Sequence, residues 1–206
     1  MKNSSITKAT LGRLPRYLDY LKELPQGCGS TISATAIAKA LSLGEVQVRK
    51  DLAAVSGAGK PKVGYVKAKL ISDIESHLGY DRLTSAVLVG AGKLGRALLD
   101  YSGFEEYGVS IIAAFDCNEQ AIQIGKGAKS ILPIKEFDEF CRKNCIRLGI
   151  ITVGQGSAQE VADLMVRCGI TAIWNFAPCT LSVPCGVIVK QENLALSLAH
   201  LNNKLG

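Results

Sequence analysis

Seven residues near the middle of the chain have the types and spacing of a dinucleotide-binding site. Six of them form the pattern Gly-x-Gly-x-x-Gly, and the seventh, Asp116, follows the last glycine by roughly the 20 positions that this pattern requires. The six are Gly90, Ala91, Gly92, Lys93, Leu94 and Gly95. The glycines permit a tight turn, close approach of a pyrophosphate and close packing of a helix on a sheet. Asp116 would bind the adenosine ribose and repel a 2′-phosphate, so the pattern predicts NAD rather than NADP.

The nicotinamide end of such a site is expected beyond the carboxyl ends of later strands. The loops there predict contacts from Val153, Asn175, Phe176 and Pro178. No histidine or acid–base pair accompanies these loops, and we expect no substrate domain after them, whereas a dehydrogenase needs a proton donor or acceptor beside the hydride. We therefore interpret the cofactor as a signal and the chain as a non-enzyme. Two alternatives stay open: a glycine-rich turn that binds nothing, and an NAD-dependent oxidoreductase with a basic accessory domain.

Alternating apolar segments predict the sheet that must position these residues. Strands are expected over 86–90, 109–116, 147–153, 171–177 and 187–189, and helices over about 93–101, 135–144 and 157–168. The first four strands are continuous apolar runs, as in strands covered on both faces. The alternation predicts an α/β fold, a Rossmann-type doubly wound parallel sheet over residues 81–190.

The first 80 residues carry the excess positive charge of the chain. They hold 12 Lys and Arg against 6 Asp and Glu, whereas the remaining residues hold 12 of each. Such asymmetry indicates a polyanionic partner, for which nucleic acid is the usual example. A solvated basic surface without a partner is the alternative.

Three amphipathic segments in this basic part predict a helix-turn-helix. The first helix contains Pro15, which suits a first turn, and Ser33 is expected to cap the second. The apolar residues expected to face inward are Leu14, Tyr17, Leu18, Leu21 and Leu24 in the first helix, Ala34, Ile37, Ala38 and Leu41 in the second, and Val48, Leu52 and Val55 in the third. A turn containing Gly44 joins the second and third helices.

The third helix and the hairpin after it predict a surface for double-stranded DNA. Lys50 points away from the buried face, and Gln47 and Arg49 flank that face. Lys50 can hold phosphate, Gln47 can read adenine and Arg49 can read guanine. The glycine- and lysine-rich segment 56–65 is typical of the wing of a winged helix. The complete set of predicted DNA contacts is Arg13, Ser33, Gln47, Arg49, Lys50, Lys60, Lys62 and Tyr65. The alternatives are an ordinary exposed helix with a surface hairpin, and a winged-helix module that binds protein.

The composition predicts neither a metal site nor a membrane span. The seven cysteines, at positions 28, 117, 141, 145, 168, 179 and 185, form no Cys-x-x-Cys pair, and the chain has two histidines. We expect no zinc and no disulfide framework, and most of the cysteines are expected to be small buried residues in a reducing cytoplasm. No apolar run reaches the roughly 18 residues of a membrane span.

These motifs together resemble the family of redox-sensing transcriptional repressors called Rex, across essentially the whole chain. The matching segments are RLPRYL (13–18), QVRKDLAAV (47–55), GKPKVGY (59–65), VGAGKLGRALLDY (89–101), AAFD (113–116) and WNFAP (174–178). The resemblance implies a cytoplasmic homodimer that binds pseudo-palindromic operator DNA, with NADH and NAD+ as its cofactors. It also implies that the C-terminal helix, within 191–206, is exchanged between subunits, and Leu194, Leu198, Leu201 and Leu205 form a suitable apolar stripe.

Two segments depart from the family pattern. Asn193 stands where the family has an Asp that joins an Arg and a Tyr, and these match Arg13 and Tyr101. Asn193 keeps a hydrogen-bond acceptor but lacks the charge for a salt bridge, so the redox coupling implied by the resemblance is expected to differ. The second departure is the segment 154–156, Gly-Gln-Gly, where the family commonly has Val-Pro-Ala.

Overall fold

The structure, a computed structural model, describes residues 6–25, 29–122 and 129–203. The chain divides into two compact units, Met1–Arg82 and Leu83–Gly206. The first unit consists, in chain order, of α1 (Lys8–Glu23), β1 (Thr31–Ile32), α2 (Ala34–Ala40), α3 (Glu45–Ser56), β2 (Tyr65–Val66) and α4 (Lys67–Leu78).

The three predicted helices of the first unit form around a common core. Their expected inward residues are buried, except that Leu24 and Leu41 are half-buried. Ser33 caps α2 as predicted, because its hydroxyl accepts a hydrogen bond from the N–H of Ala36 at 3.1 Å. The placement of Pro15 in a first turn is wrong: Thr7 caps α1, so Pro15 lies inside the helix and has no N–H to donate to the carbonyl four residues earlier.

A tight hairpin follows α3 and presents two lysines. The backbones of Lys60 and Gly64 exchange hydrogen bonds of 2.9 and 2.8 Å, and Lys62 at the turn has a left-handed φ of 62°. Gly64 itself has φ +82°, and a Cβ there would lie 2.2 Å from the carbonyl oxygen of Ile32. This close approach fixes the hairpin against β1, which pairs with β2 in antiparallel fashion.

The second unit is a six-stranded parallel sheet in the order β5-β4-β3-β6-β7-β8. Its strands are β3 (Thr84–Val89), β4 (Val109–Asp116), β5 (Ser130–Pro133), β6 (Leu148–Ile151), β7 (Ala172–Asn175) and β8 (Ile188–Gln191). Its α-helices are α5 (Lys93–Asp100), α6 (Phe137–Lys143), α7 (Gln155–Arg167) and α8 (Leu194–Asn202). The predicted doubly wound α/β sheet is thus confirmed.

Strand β5 was not expected from the sequence. Its four residues, Ser-Ile-Leu-Pro, are too short and too mixed to show a strand period, yet they pair with β4 at the edge of the sheet. Pro133 is tolerated there because, in an edge strand, a residue that lacks an N–H need not interrupt the hydrogen bonds between strands.

The described cysteines differ in exposure. Cys141 is buried, and desolvation raises the pKa of its thiol to about 12. The expectation that most cysteines are buried is wrong for Cys117, Cys145 and Cys185, which are exposed because they lie in connecting segments. Cys28 lies outside the described residues. Within the described ranges, no group of three or more His, Cys, Asp or Glu side chains is arranged to hold a metal ion. No helix in the described part of the chain is long and apolar enough to cross a membrane.

Candidate dinucleotide cleft and nucleic-acid surface

Two glycines of the loop after β3 are required by the space around them. Gly90 has φ +106°, and a Cβ there would lie 2.9 Å from the backbone of Thr152. A Cβ on Gly95 would lie 1.9 Å from the carbonyl oxygen of Gly90, so α5 packs against the loop at a distance that only glycine allows. Gly92 has no atom within 4 Å of a Cβ position. Its backbone therefore faces open space at the start of α5, which suits the approach of a phosphate group.

Asp116 lies at the end of β4 and is connected to the same loop. One carboxylate oxygen accepts the N–H of Ala91 at 2.6 Å, and the other accepts the N–H of Asn118 at 2.8 Å. Each oxygen has lone-pair capacity left for a ribose hydroxyl. The predicted acid and the predicted loop thus lie together at one edge of the sheet.

Arg96 and Thr152 also hold this loop, and neither is predicted from the sequence. Arg96 donates to the carbonyl oxygens of Ala91 and Ala121, each at 3.0 Å, and thereby connects the loop to the segment after β4. The hydroxyl of Thr152 donates to the carbonyl of Gly90 at 2.7 Å. Neither residue is part of the glycine pattern, because its role depends on backbone carbonyls that only the folded loop brings within reach.

A cleft of about 610 Å³ opens at the carboxyl ends of β3, β4 and β6. Its lining includes Gly90, Gly92, Asp116 and Val153, together with one face of α7. This is the position at which the strand order reverses, where ligands of such sheets bind. Its volume is within the usual range for small-molecule sites, and the open backbone at Gly92 fits a pyrophosphate. The residues present therefore fit a dinucleotide.

The residues predicted for the nicotinamide end have different environments. Asn175 is fully buried: its amide donates to the carbonyl of Cys179 at 3.0 Å and to Gln191 at 2.7 Å, and its oxygen accepts the N–H of Ala177. Its side chain therefore organises the loop after β7. Phe176 packs against Trp174 and Pro178 is exposed, and neither belongs to the described lining of the cleft.

In the first unit, a buried carboxylate that the sequence pattern does not predict connects α1 to α3. Asp51 is 4% exposed and accepts two in-plane hydrogen bonds from Arg13, at 2.7 and 2.9 Å. Thr10 and Tyr17 donate to the same carboxylate at 2.9 and 2.8 Å. Burial alone would raise the pKa of Asp51, but the hydrogen bonds from Arg13, Tyr17 and Thr10 outweigh it and lower that pKa. Burial and the bond to Asp51 raise the pKa of Tyr17 to about 12.

The predicted DNA contacts lie along two grooves on either side of α3. Ser33, Arg49, Lys60, Lys62 and Tyr65 line a polar groove of about 380 Å³ between α3 and the hairpin. Arg13, Gln47 and Lys50 line a second groove of about 600 Å³ between α1 and α3. Arg49 also forms an ion pair with Glu45 one turn earlier on the exposed face of α3.

The C-terminal helix α8 exposes apolar side chains. Leu194, Leu196, Leu198 and Leu201 are each at least half exposed, and Leu205 lies outside the described residues. Asn193 caps α8, because its side-chain oxygen accepts the N–H of Leu196 at 2.8 Å.

The same unit has an apolar hollow of about 440 Å³ on one sheet face. Its lining includes Phe104, Trp174 and Ile188. Tyr101, which matches the tyrosine that the family joins to its Asp, is exposed, and its ring lies 5.0 Å from that of Phe104 in a T-shaped arrangement.

Known proteins resemble the chain over both units. The family described as "CoA binding domain" matches residues 81–179, and the family described as "Putative DNA-binding protein N-terminus" matches residues 5–53. The redox-sensing transcriptional repressor Rex of Porphyromonas gingivalis is 37% identical over 204 residues, which cover 98% of this chain and 93% of that protein.

Two solved structures of RSP, a Rex-family repressor, are similar to the chain over nearly its whole length. The complex of RSP with β-NAD+ and operator DNA has a TM-score of 0.89 and 32% identity, and it covers 98% of this chain and 93% of that chain. The complex with β-NADH has a TM-score of 0.83 and 31% identity, with coverage of 98% and 95%.

Proposed function

This chain belongs to the family of redox-sensing transcriptional repressors called Rex, and on that premise we propose that it represses transcription in response to the NADH/NAD+ ratio. Its first unit binds operator DNA and its second unit binds NADH or NAD+. Such a repressor acts where the genome lies, in the cytoplasm of a bacterium. The proposed role of the dinucleotide is that of a signal, which is supported by a relative named as a redox-sensing repressor and by the structure of RSP in complex with β-NADH.

The observation that carries this proposal is the presence of two candidate sites in one chain. A cleft that fits a dinucleotide lies at the carboxyl edge of the sheet. A recognition helix with two grooves, each lined by basic side chains, lies in the first unit. A dinucleotide cleft alone would also suit a dehydrogenase, and a basic helix alone would also suit a simple DNA-binding protein. A sensor that controls transcription requires both sites.

We propose that the chain acts as a homodimer through exchange of α8. The leucines of α8 are exposed in one chain, and an apolar hollow lies on the sheet face that contains Trp174. Burying both surfaces would stabilise the dimer by about 25 cal/mol for each Å² of apolar surface removed from water. A second copy of the chain, offering its own helix to this hollow, satisfies both surfaces and yields the two-fold symmetry of a pseudo-palindromic operator.

The proposed switch depends on a difference in affinity, since a ligand shifts an equilibrium only when it binds one state more tightly. NADH is expected to favour the dimer whose two DNA-binding units have the wrong spacing for an operator, and NAD+ to leave the DNA-competent dimer populated. A nearly complete change requires roughly 5.5 kcal/mol of differential binding, shared by two sites. Arg13, Tyr101 and Asn193 are the proposed residues through which the two states differ.

The test is operator binding measured by fluorescence anisotropy, with a labelled duplex selected by the unmodified chain from a random pool. We expect rising NADH to release the duplex and NAD+ to leave it bound. Binding of NADH is followed in parallel by calorimetry. If NADH binds while DNA affinity stays unchanged, the chain is not a redox switch. Steady oxidation of NADH with a small carbonyl substrate would instead support the oxidoreductase alternative.

A further inference from the structure

We propose that Gln191 is the positioning residue that connects the loop after β7 (residues 176–187), at which the nicotinamide is expected, to the start of α8. Its side chain makes that loop and the end of β8 move together when the dinucleotide changes. The inference rests on the proposed function and deepens it, because it names the route by which NADH binding reaches the helix proposed to join the two subunits.

The loop after β7 is held at its start by Asn175. This side chain is fully buried, its oxygen accepts the N–H of Ala177 at 3.0 Å, and its NH2 group donates to the carbonyl of Cys179 at 3.0 Å. One partner is a backbone donor and the other a backbone acceptor, so these two bonds determine which end of the amide is the oxygen and which is the nitrogen. Asn175 therefore holds the first turn of the loop in a single arrangement.

Gln191, at the end of β8, extends this arrangement to the next strand. Its oxygen accepts from the NH2 group of Asn175 and its own NH2 group donates to the carbonyl of Ala177, each at 2.7 Å. The carbonyl of Ala177 can only accept, so it fixes the orientation of the Gln191 amide as well. The two strands pair with Asn175 opposite Gln191, and the N–H of Glu192 donates to the backbone carbonyl of Asn175 at 2.8 Å. Side chain and backbone thus join the loop to the residues that lead directly into α8.

The end of β8 also contributes to the surface proposed for the dimer. Side chains alternate between the two faces of a strand, so Lys190 and Glu192 lie on the face opposite Gln191, where both line the apolar hollow. Trp174 lines the same hollow from β7 and packs against Phe176 at the start of the loop. A shift of the loop therefore reaches both the hollow and the start of α8 through this one pair of strands.

A second glutamine, Gln159, holds the same loop from α7. Its oxygen accepts the N–H of Ser182 at 2.9 Å, and its NH2 group donates to the carbonyl of Ser182 at 2.8 Å. Because the loop is held at several points, a displacement caused by the cofactor is passed to the elements that hold it. Of these two glutamines, Gln191 is the one whose strand continues into α8. The pair therefore separates the general stiffness of the loop from the route to the dimer helix.

The experiment compares two matched substitutions in the full chain, Gln191→Met and Gln159→Met. Methionine keeps the length of glutamine and removes its hydrogen bonds to the loop. The measured quantity is the ratio of the operator dissociation constants with saturating NADH and without it, from fluorescence anisotropy with a duplex selected by the unmodified chain. Calorimetry gives the NADH affinity of each variant with and without the duplex, and linkage requires the two sites together to give the same ratio.

We expect this ratio to fall in Gln191→Met by about two- to tenfold per subunit, the value of roughly one hydrogen bond. In Gln159→Met the ratio should stay within about twofold of that of the unmodified chain, as for a substitution outside the route. A loss of NADH affinity through loosening of the loop should be shared by both variants. A merely structural role of Gln191 would change NADH affinity or stability and leave the ratio as it is.

The outcomes separate this inference from the function on which it rests. If NADH does not release the operator from the unmodified chain, the proposed function fails, and the inference fails with it. If NADH does release it, a ratio that is unchanged in folded Gln191→Met, or reduced equally in both variants, overturns the inference alone. Thermal unfolding shows whether Gln191→Met is folded. If it is not, Gln191→Glu decides, since it keeps the acceptor for Asn175 but lacks the NH2 group that donates to Ala177: an unchanged ratio there overturns the inference.

Discussion

The dinucleotide cleft and the recognition helix are built in opposite ways. The loop after β3 is defined by side chains that must be absent, since a Cβ at Gly90 or Gly95 would collide with backbone atoms. The surface of α3 is defined by a side-chain network that crosses from α1, with Asp51 at its centre. A site formed by a continuous stretch of backbone can be predicted from a short sequence motif. A site formed by side chains from different helices can be identified only when the packing of those helices is known.

The largest effect on stability is expected from a substitution at Gly95, which tests whether the loop after β3 requires the absence of a side chain. A Gly95→Ala change would normally favour a helix by about 1 kcal/mol, but here the new methyl group would meet the Gly90 carbonyl at 1.9 Å. We expect the clash to dominate and to destabilise the second unit by about 3 kcal/mol, with loss of NADH binding. Urea unfolding and calorimetry measure the two effects.

Gly92→Ala is the control for this prediction. A Cβ at Gly92 meets no atom within 4 Å, so stability should stay within about 0.5 kcal/mol of the unmodified chain. Only the affinity for the dinucleotide should fall, because the methyl group occupies the approach to the backbone. Equal destabilisation by both substitutions would contradict the packing role assigned to Gly95.

The next effect concerns the network in the first unit. Asp51→Asn leaves Arg13 without its ion pair, and we expect a loss of about 2 kcal/mol in the free energy of unfolding at pH 7. The pKa of Asp51 is lower in the folded chain than its ordinary value of 3.8. The charged carboxylate therefore stabilises the fold above pH 3.8, and this contribution disappears as the pH falls toward the folded-state pKa.

Urea unfolding of the unmodified chain and Asp51→Asn between pH 7 and pH 3 tests this linkage. The difference between the two should shrink below pH 3.8. A difference that stays constant over that range would show that charge at Asp51 contributes nothing to the packing of α1 on α3.

The next effect, on DNA binding and not on folding, is expected from the basic side chains that border the grooves. Arg49→Ala should relax base preference and cost about 1–3 kcal/mol of operator binding, whereas Lys50→Ala and Lys60→Ala should weaken binding to all sequences and reduce its salt dependence. Salt titrations of anisotropy distinguish the two classes. Unchanged affinity in all three variants would contradict the assignment of this face to DNA.

The sequence predicts the sheet, the glycine-rich loop and the helix-turn-helix because each has a local period or motif. It does not reveal β5, whose four residues form a strand only by pairing with β4. Nor does it reveal Asp51, which lies in a motif attributed to DNA binding although its carboxylate faces the core. Asn175 is a further case, since its buried amide forms hydrogen bonds with the backbone of the loop after β7. The roles of β5 and Asp51 are set by partners far away in the chain, whereas that of Asn175 depends on the folded path of the loop that follows it.

The smallest effect is expected at Asn193, for which both a local and a long-range role are considered. Its side chain caps α8 locally, while the family resemblance implies a long-range role for an acid at this position. Asn193→Asp keeps a capping oxygen and adds a charge that favours a helix N-terminus, so α8 should be retained. We expect the NADH concentration for half-release of the operator to change by up to about fivefold, the value of an exposed ion pair near 1 kcal/mol. Asn193→Ala, which removes the cap at a cost of about 1 kcal/mol, is the control for local stability. If both variants change the NADH concentration for half-release equally, the helix cap and not the charge controls the coupling. If only Asn193→Asp changes it, a negative charge at position 193 alters the coupling between NADH binding and DNA release.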